Sequence, residues 1–162
     1  MVEILDLTQI NDALAEMVAL FRVELRSYKG IASKPNIEAG REEIEEYLSA
    51  KFPVYAALVN GEYAGYVVCR VDSEVVWVES IFVKEEYRRH GVATALHSKA
   101  EEIAASYGDD TVYNYVHPNN HRMIDFLRKR GYTVLNLIEI RKPHNGEKLT
   151  QTIAVGEHEF DY

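Results

Sequence analysis

The chain has 162 residues, of which 47% are hydrophobic and 27% charged, as expected for a single soluble globular domain. No apolar run approaches the ~20 residues of a membrane span, and the first residues lack the basic segment of a secretory signal, so no membrane association is expected. The formal net charge of −8 argues against nonspecific nucleic-acid binding, and the single cysteine, Cys69, excludes an internal disulfide and fits a cytoplasmic location.

The pattern of apolar residues and turn signals predicts one domain, 1–162, without linkers or repeats and of the α/β class in its α+β form. The predicted elements are, in chain order, strand 2–7, helix 8–28, helix 37–51, strand 54–59, strand 62–71, strand 75–83, helix 94–107, strand 111–116, a helix that starts at Asn120, strand 132–141 and strand 151–160. The clearest turn signal is Asn60–Gly61, which favours a type I′ hairpin.

Residues 87–93, Tyr-Arg-Arg-His-Gly-Val-Ala, connect a run of β-forming residues to a predicted amphipathic helix. The first turn of a helix has unpaired N–H groups and the positive end of the helix dipole. Gly91 and Ala93 carry little side chain, so an anion can approach these donors, and Arg88 and Arg89 add charge. The segment therefore suits a pyrophosphate, although a helix start with two solvated arginines explains it equally well when it is taken alone.

A second segment, residues 120–132, has the pattern of a short capped helix. Asn120 is a candidate N-cap, Ile124 and Leu127 share one helical face, and Gly131 is a helix stop. By itself this segment is an ordinary surface helix, and it gains meaning only from its position after the first segment.

The two segments together resemble the GNAT superfamily of N-acetyltransferases. The first reads Arg88-x-x-Gly91-x-Ala93, like motif A of that family, in which loop amides bind the pyrophosphate of acetyl-CoA. The second reads like a later helical segment of the family, and the predicted element order also agrees with the family. The resemblance is strongest over residues 77–132.

The resemblance implies a mixed, mostly antiparallel sheet of about seven strands, flanked by four helices and splayed between the fourth and fifth strands. Acetyl-CoA is the implied co-substrate, with its pantetheine in the splay and its pyrophosphate at the loop. The residues expected to contact it are Ile81, Phe82, Val83, Arg88, Arg89, His90, Gly91, Val92, Ala93, Thr94 and Asn120.

Acetyl transfer to an amine needs a neutral amine, a stabilised oxyanion and a protonated leaving thiolate. Glu79 is the candidate base, because a Glu at this place resembles the diamine acetyltransferase branch of the family, where it acts on the amine through water. A carboxylate in a run of Val, Trp, Ile and Phe is also poorly placed for a simple surface charge. The alternative is a strand-edge Glu paired with an Arg. The oxyanion donor would be a backbone N–H near Phe82, as in the family.

The candidate acid is less clear from the sequence. Many family members have a Tyr in the fourth helix, and the aligned residue here is Leu127, which cannot donate a proton. Tyr115, at the end of the predicted fifth strand, is the nearest substitute, and Tyr113 points to the same face. Unassisted departure of the thiolate is the alternative.

The acceptor is expected to be an amine of a small molecule or of a peptide, bound near residues 28–36 and 143–148 as in the family. No metal site is expected, because Pro118 separates His117 from His121 and no further ligand completes a set. The apolar segment 137–140 fits either a homodimer contact or a buried strand of the same chain.

Two other functions stay open at this stage. A non-catalytic acyl-CoA-binding module of the same fold is favoured by Leu127 and opposed by Glu79. A phosphate-binding protein of another fold is opposed by the segment 120–132 and by the element order.

Overall fold

The computed structural model describes residues 1–162, which form two compact units, Met1–Phe126 and Leu127–Tyr162. The elements are β1 (Val2–Asp6), α1 (Asp12–Ser27), α2 (Ile37–Ser49), β2 (Val54–Val59), β3 (Glu62–Asp72), β4 (Val75–Val83), a 3-10 turn (Glu85–Tyr87), α3 (Val92–Ser106), β5 (Tyr113–Asn114), α4 (His121–Lys129), β6 (Thr152–Val155) and β7 (His158–Asp161). None of the helices is both long and apolar enough to cross a membrane.

Asparagine side chains set where the first two helices begin. Asn11 accepts a hydrogen bond from the N–H of Leu14 at 2.8 Å, and Asn36 accepts one from Ala39 at 3.1 Å. Each bond satisfies an N–H group that the first helical turn leaves unpaired. The first helix therefore begins four residues later than the predicted start at residue 8, because Asn11 caps it.

The first unit contains a five-stranded sheet in the order β1-β2-β3-β4-β5. Neighbouring strands are antiparallel except β4 and β5, which are parallel. Asn60 and Gly61 both have positive φ, 53° and 82°, so the predicted type I′ turn between β2 and β3 is confirmed. The mixed, mostly antiparallel sheet agrees with the predicted fold class.

Alternate residues of β3 are buried on opposite faces of this sheet. Tyr66 and Val68 lie in a core with Leu14, Met17 and Ile44, so α1 and α2 cover one face. The intervening side chains of β3 are also fully buried, and α3 packs against β3 and β4. The layers are therefore two helices, the sheet and a third helix, with β4 in the middle of the site described below.

A bulge interrupts β4 at Glu79. Val68 pairs with Ser80 and the next residue, Cys69, pairs with Val78, so Glu79 is an extra residue on β4. The parallel pairing of β4 with β5 also stops at Val78. The two strands therefore separate at the bulge, as the predicted splay between the fourth and fifth strands requires.

The C-terminal strands differ from the prediction of one sheet of about seven. Residues 132–141 form no strand, and the predicted strand 151–160 is a two-stranded hairpin, because Gly156 turns the chain with a φ of +62°. The predicted strand 111–116 is reduced to two residues of β5. Apolar alternation shows that a segment can be a strand, but a strand forms only where a neighbour pairs with its backbone.

Candidate active site

The loop before α3 has the geometry of an anion site. Gly91 is the N-cap of α3, with φ of 82° and ψ of 0°, and no side chain caps the helix. Since α3 begins at Val92 rather than at the predicted residue 94, its first-turn N–H groups belong to Val92, Ala93 and Thr94. These groups, at the positive end of a 15-residue helix, suit a phosphate oxygen.

Two side chains of the loop face solvent. Arg89 and His90 are exposed, and Arg89 has a φ of +68°, a conformation that non-glycine residues adopt infrequently. Arg89 forms no ion pair within the protein, so its charge is available to a bound anion. The structure therefore leaves Arg89 as the loop cation that can meet a phosphate directly.

Arg88 is turned back towards α1. Its Nε donates to the carbonyl of Val83 at 2.9 Å, and its guanidinium lies 3.3 Å from the carboxylate of Glu24. Arg122 forms a second ion pair with Glu24. Glu24 thus holds two of the basic side chains near the loop, and a phosphate would compete with it for both. Nothing in the sequence pattern singles out Glu24, because it is one of many acids on helical surfaces.

Of the three residues of β4 that were predicted to contact the cofactor, two have backbone groups on the strand edge that faces the splay. The N–H of Lys84 donates to the carbonyl of Ala64 on β3. In an antiparallel pair of strands, hydrogen-bonded and non-hydrogen-bonded residue pairs alternate. Phe82, two residues before Lys84, therefore exchanges its backbone hydrogen bonds with Tyr66 on β3. The polar groups of Ile81 and Val83 therefore point away from β3. The N–H and C=O of Phe82 are therefore used within the sheet, and its contact with the cofactor stays a prediction.

Glu79 lies on the face of the sheet that α1 and α2 cover. Its Oε2 is 3.3 Å from Nε of Arg70, and the guanidinium of Arg70 lies 4.4 Å from the ring centre of Trp77. The side chain of Glu79 is 31% exposed, so it is within reach of water as well as of Arg70. The pairing with an arginine that the sequence left open is present, and Glu79 is the first residue of β4 after its pairing with β5 ends.

Two tyrosines lie on the same face of the sheet as Glu79, the face that α1 and α2 cover. The hydroxyl of Tyr66 is 2.6 Å from Oγ of Ser80, and burial raises the pKa of Tyr66 well above its ordinary value. Burial, together with a hydrogen bond to Glu43 at 2.5 Å, also raises the pKa of Tyr47. The charge of Glu79 contributes to this shift, so Tyr47 lies within electrostatic reach of the candidate base. Both phenols stay protonated at neutral pH, and the sequence pattern did not identify either.

Tyr115 stands opposite Glu79 at the point where the strands separate. Val78 and Asn114 are the last paired residues of β4 and β5, and Glu79 and Tyr115 are the next residue on each strand. Tyr115 is 61% exposed, whereas the ring of Tyr113 packs on Trp77 at 5.6 Å. Tyr115 is therefore the more accessible of the two tyrosines.

The fourth helix begins as predicted. Asn120 is its N-cap and accepts a hydrogen bond from the N–H of Met123 at 3.1 Å, so its side-chain oxygen is used and only its amide NH₂ could face a ligand. Gly131 follows the end of the helix with a φ of +93°. Leu127 is buried and supplies no acid. The contact of Asn120 with a cofactor stays a prediction.

A buried histidine connects α3 to β5. Nε2 of His97 is 3.1 Å from Oδ1 of Asn114, and the side chain of His97 has no exposed surface. This contact fixes β5 against α3 on one side of the splay. No group of three or more His, Cys, Asp or Glu side chains in the structure could hold a metal ion.

Comparison with known proteins identifies the family. Residues 17–132 match the sequence model of the Acetyltransferase (GNAT) family, and the chain belongs to that family. An uncharacterized N-acetyltransferase of Methanocaldococcus jannaschii is 33% identical over 81 residues, which are 46% of this chain and 36% of that protein. An N-alpha-acetyltransferase of Sulfurisphaera tokodaii is 29% identical over 114 residues, which are 60% of this chain and 64% of that protein. The chain thus spans less than two thirds of the length of either relative.

Solved structures share the fold. The aminoglycoside N-acetyltransferase AAC(6')-Iy in complex with CoA has a TM-score of 0.65 at 22% identity, over 88% of this chain and 95% of that chain. This likeness extends beyond the two motifs to nearly the whole chain. The predicted family and fold class are therefore confirmed, with fewer strands in the main sheet than predicted.

Proposed function

We propose that the protein is an N-acetyltransferase that moves an acetyl group from acetyl-CoA to a primary amine of a small molecule, a protein N-terminus or a lysine. The reaction would be direct attack in a ternary complex. The observation that carries the proposal is the separation of β4 from β5 next to the uncapped N-terminus of α3. An extended cofactor with a pyrophosphate fits these two features together.

The cofactor would be held by backbone groups and by one free cation. The N–H and C=O of Ile81 and the N–H of Val83 would bind pantetheine along the open edge of β4, whereas the C=O of Val83 already accepts from Arg88. The first-turn N–H groups of α3 would take the pyrophosphate, with Arg89 as the nearby charge. Bound in this way, acetyl-CoA would supply the acetyl thioester at the mouth of the splay. The solved relative in complex with CoA supports the choice of cofactor.

Glu79 would remove the proton of the amine, directly or through a water. An alkylamine has a pKa of about 10.4 and is mostly protonated at neutral pH. The carboxylate of Glu79 is partly exposed and 3.3 Å from Arg70, so a protonated amine or a water can reach it and give up this proton. The N–H of Ile81, next to Phe82 and directed into the splay, is the candidate oxyanion donor.

Tyr115 would protonate the departing thiolate. It follows the last paired residue of β5, on the opposite side of the opening from Glu79, and its side chain is exposed. The buried tyrosines Tyr47 and Tyr66 have raised pKa values and hydrogen-bond partners of their own, so they are poorer proton donors to a ligand.

The test is thiol release from acetyl-CoA in the presence of pooled amines, amino acids and short peptides, with CoA binding measured in parallel by calorimetry. Glu79→Gln should lower kcat by about 10²–10⁴-fold, the usual contribution of a general base, with CoA affinity unchanged. Glu45→Gln, on the exposed face of α2, is the matched control and should be fully active. Binding of CoA without thiol release from any amine would instead indicate the non-catalytic module, which the buried Leu127 favours.

A further inference from the structure

We propose that a cavity between α1 and α2 binds a carboxylate of the acceptor, so that the preferred substrate is a small amine that also carries a carboxylate, such as an acidic amino acid or dipeptide. This inference rests on the proposed acetyl transfer for its substrate role. The binding of an anion in the cavity stands on its own observations.

The cavity has a volume of about 280 Å³ and lies between the C-terminal half of α1 and the N-terminal half of α2. Arg22 and Arg26 line it from α1, Lys34 and Asn36 from the connecting loop, and Glu43 from α2. Small-molecule pockets usually span ~300–1,000 Å³. A cavity at the lower end of that range suits an amino-acid-sized group rather than an oligosaccharide.

The charges in the cavity leave an excess of two cations. Arg22 and Glu43 neutralise each other through a two-point ion pair, with Nε to Oε2 at 2.7 Å. Glu43 also accepts the hydroxyl of Tyr47. Arg26 and Lys34 are exposed and have no acidic partner in the protein. In a chain with a net charge of −8, this is a local reversal of sign that favours an anion and opposes a polycation.

The inner wall of the cavity is linked to the bulge of β4 by named contacts. Glu43 accepts a hydrogen bond from the hydroxyl of Tyr47, which packs in the same core cluster as Tyr66. The hydroxyl of Tyr66 is in turn 2.6 Å from Oγ of Ser80, the residue after Glu79. In the proposed binding mode the carboxylate of the acceptor lies between Arg26 and Lys34, and its amine extends towards Glu79. Arg26 and Lys34 would thus bind the carboxylate of the acceptor, and Glu79 would accept the proton of its amine.

The first experiment compares kcat/KM for glutamate and aspartate with the values for their diamides and for spermidine. The carboxylates should be preferred, and Lys34→Glu and Arg26→Gln should each lower kcat/KM for them by about 10–100-fold, the effect of losing one charge-assisted hydrogen bond. The values for the diamides should not change. Lys51→Glu, at an exposed lysine that follows α2 and does not line the cavity, is the matched control. A preference for spermidine, or equal activity of Lys34→Glu, would overturn the inference.

The second experiment does not depend on turnover. Binding of N-acetylglutamate to the full chain in the presence of CoA is measured by calorimetry for the native protein, Lys34→Glu and Lys51→Glu. Binding that Lys34→Glu alone abolishes supports the anion site even if no amine is acetylated. Absence of binding to the native protein overturns the inference while thiol release still tests the proposed function.

Discussion

Two glycines at opposite ends of α3 offer a controlled test of the anion site. Gly91 precedes the helix with φ of +82° and Gly108 follows it with φ of +83°, and a Cβ at either position would meet no atom within 4 Å. Gly108 closes the helix with hydrogen bonds from its own N–H to Ala105 and from Asp109 to Ala104. The two positions therefore share the same backbone strain, but only Gly91 lies where a pyrophosphate would bind.

The structure gives the size of both effects. An alanine in the left-handed region costs about 1–2 kcal/mol, and with no steric contact to add, each variant should lose about this much stability. For a domain of this size the melting temperature should fall by roughly 2–8 °C. Gly91→Ala should also weaken CoA binding at least about tenfold, because strain at the N-cap redirects the N–H groups, and a single charge-assisted contact is worth about 1.5–3 kcal/mol.

The assay is thermal unfolding without ligand, followed by calorimetric titration of CoA into native protein, Gly91→Ala and Gly108→Ala. Equal melting temperatures for the two variants, with CoA affinity reduced only in Gly91→Ala, would support the site. If Gly91→Ala bound CoA as tightly as Gly108→Ala, the assignment of the pyrophosphate to the start of α3 would be refuted.

Two further changes test the helix pair and a pH effect. Gly40→Ala should lower the free energy of unfolding by about 1–3 kcal/mol, because the new Cβ would lie 2.4 Å from the carbonyl oxygen of Ala15. Urea unfolding measures this change. A gain in stability would show that α1 and α2 are not in close contact. Burial, with a smaller effect of Lys29, lowers the pKa of His117. The imidazole therefore binds a proton more readily in the unfolded chain than in the folded protein, and the stability of the fold should decrease as the pH drops below about 6.5. His117→Gln should flatten the melting temperature between pH 7.5 and 5, and an unchanged slope would contradict this reasoning.

The elements that the sequence predicted best are those whose signals are local. The bounds of β2 and β4 agree with the prediction, and the turn between β2 and β3 follows from the positive φ that Asn60–Gly61 tolerates. The anion loop was also predictable, since it depends on one glycine and on the start of a helix. The sequence also drew attention to Glu79 as an acid within an apolar strand, and its role as a base stays a prediction.

The features that the sequence did not reveal depend on pairing and packing between distant segments. The bulge exists only in the register of β3 against β4, and the ion pairs of Glu24 join residues 64 and 98 positions apart. The charge of the cavity depends on which arginine Glu43 neutralises. The predicted strand 132–141 does not form, because its sequence pattern does not specify a neighbouring strand with which its backbone could pair.

The bulge in β4 means that Glu79 could be deleted without changing the register of the strand. If Glu79 were deleted, Val78 and Ser80 would become neighbours opposite Cys69 and Val68, and every other pair of the ladder would keep its partner. Side chains on both halves of β4 would also keep their faces, since regular pairing alternates. A chain under selection for strand pairing alone could therefore lose this residue. In this structure the extra residue therefore affects only the position of one carboxylate and the opening beside it, and not the register of the strand.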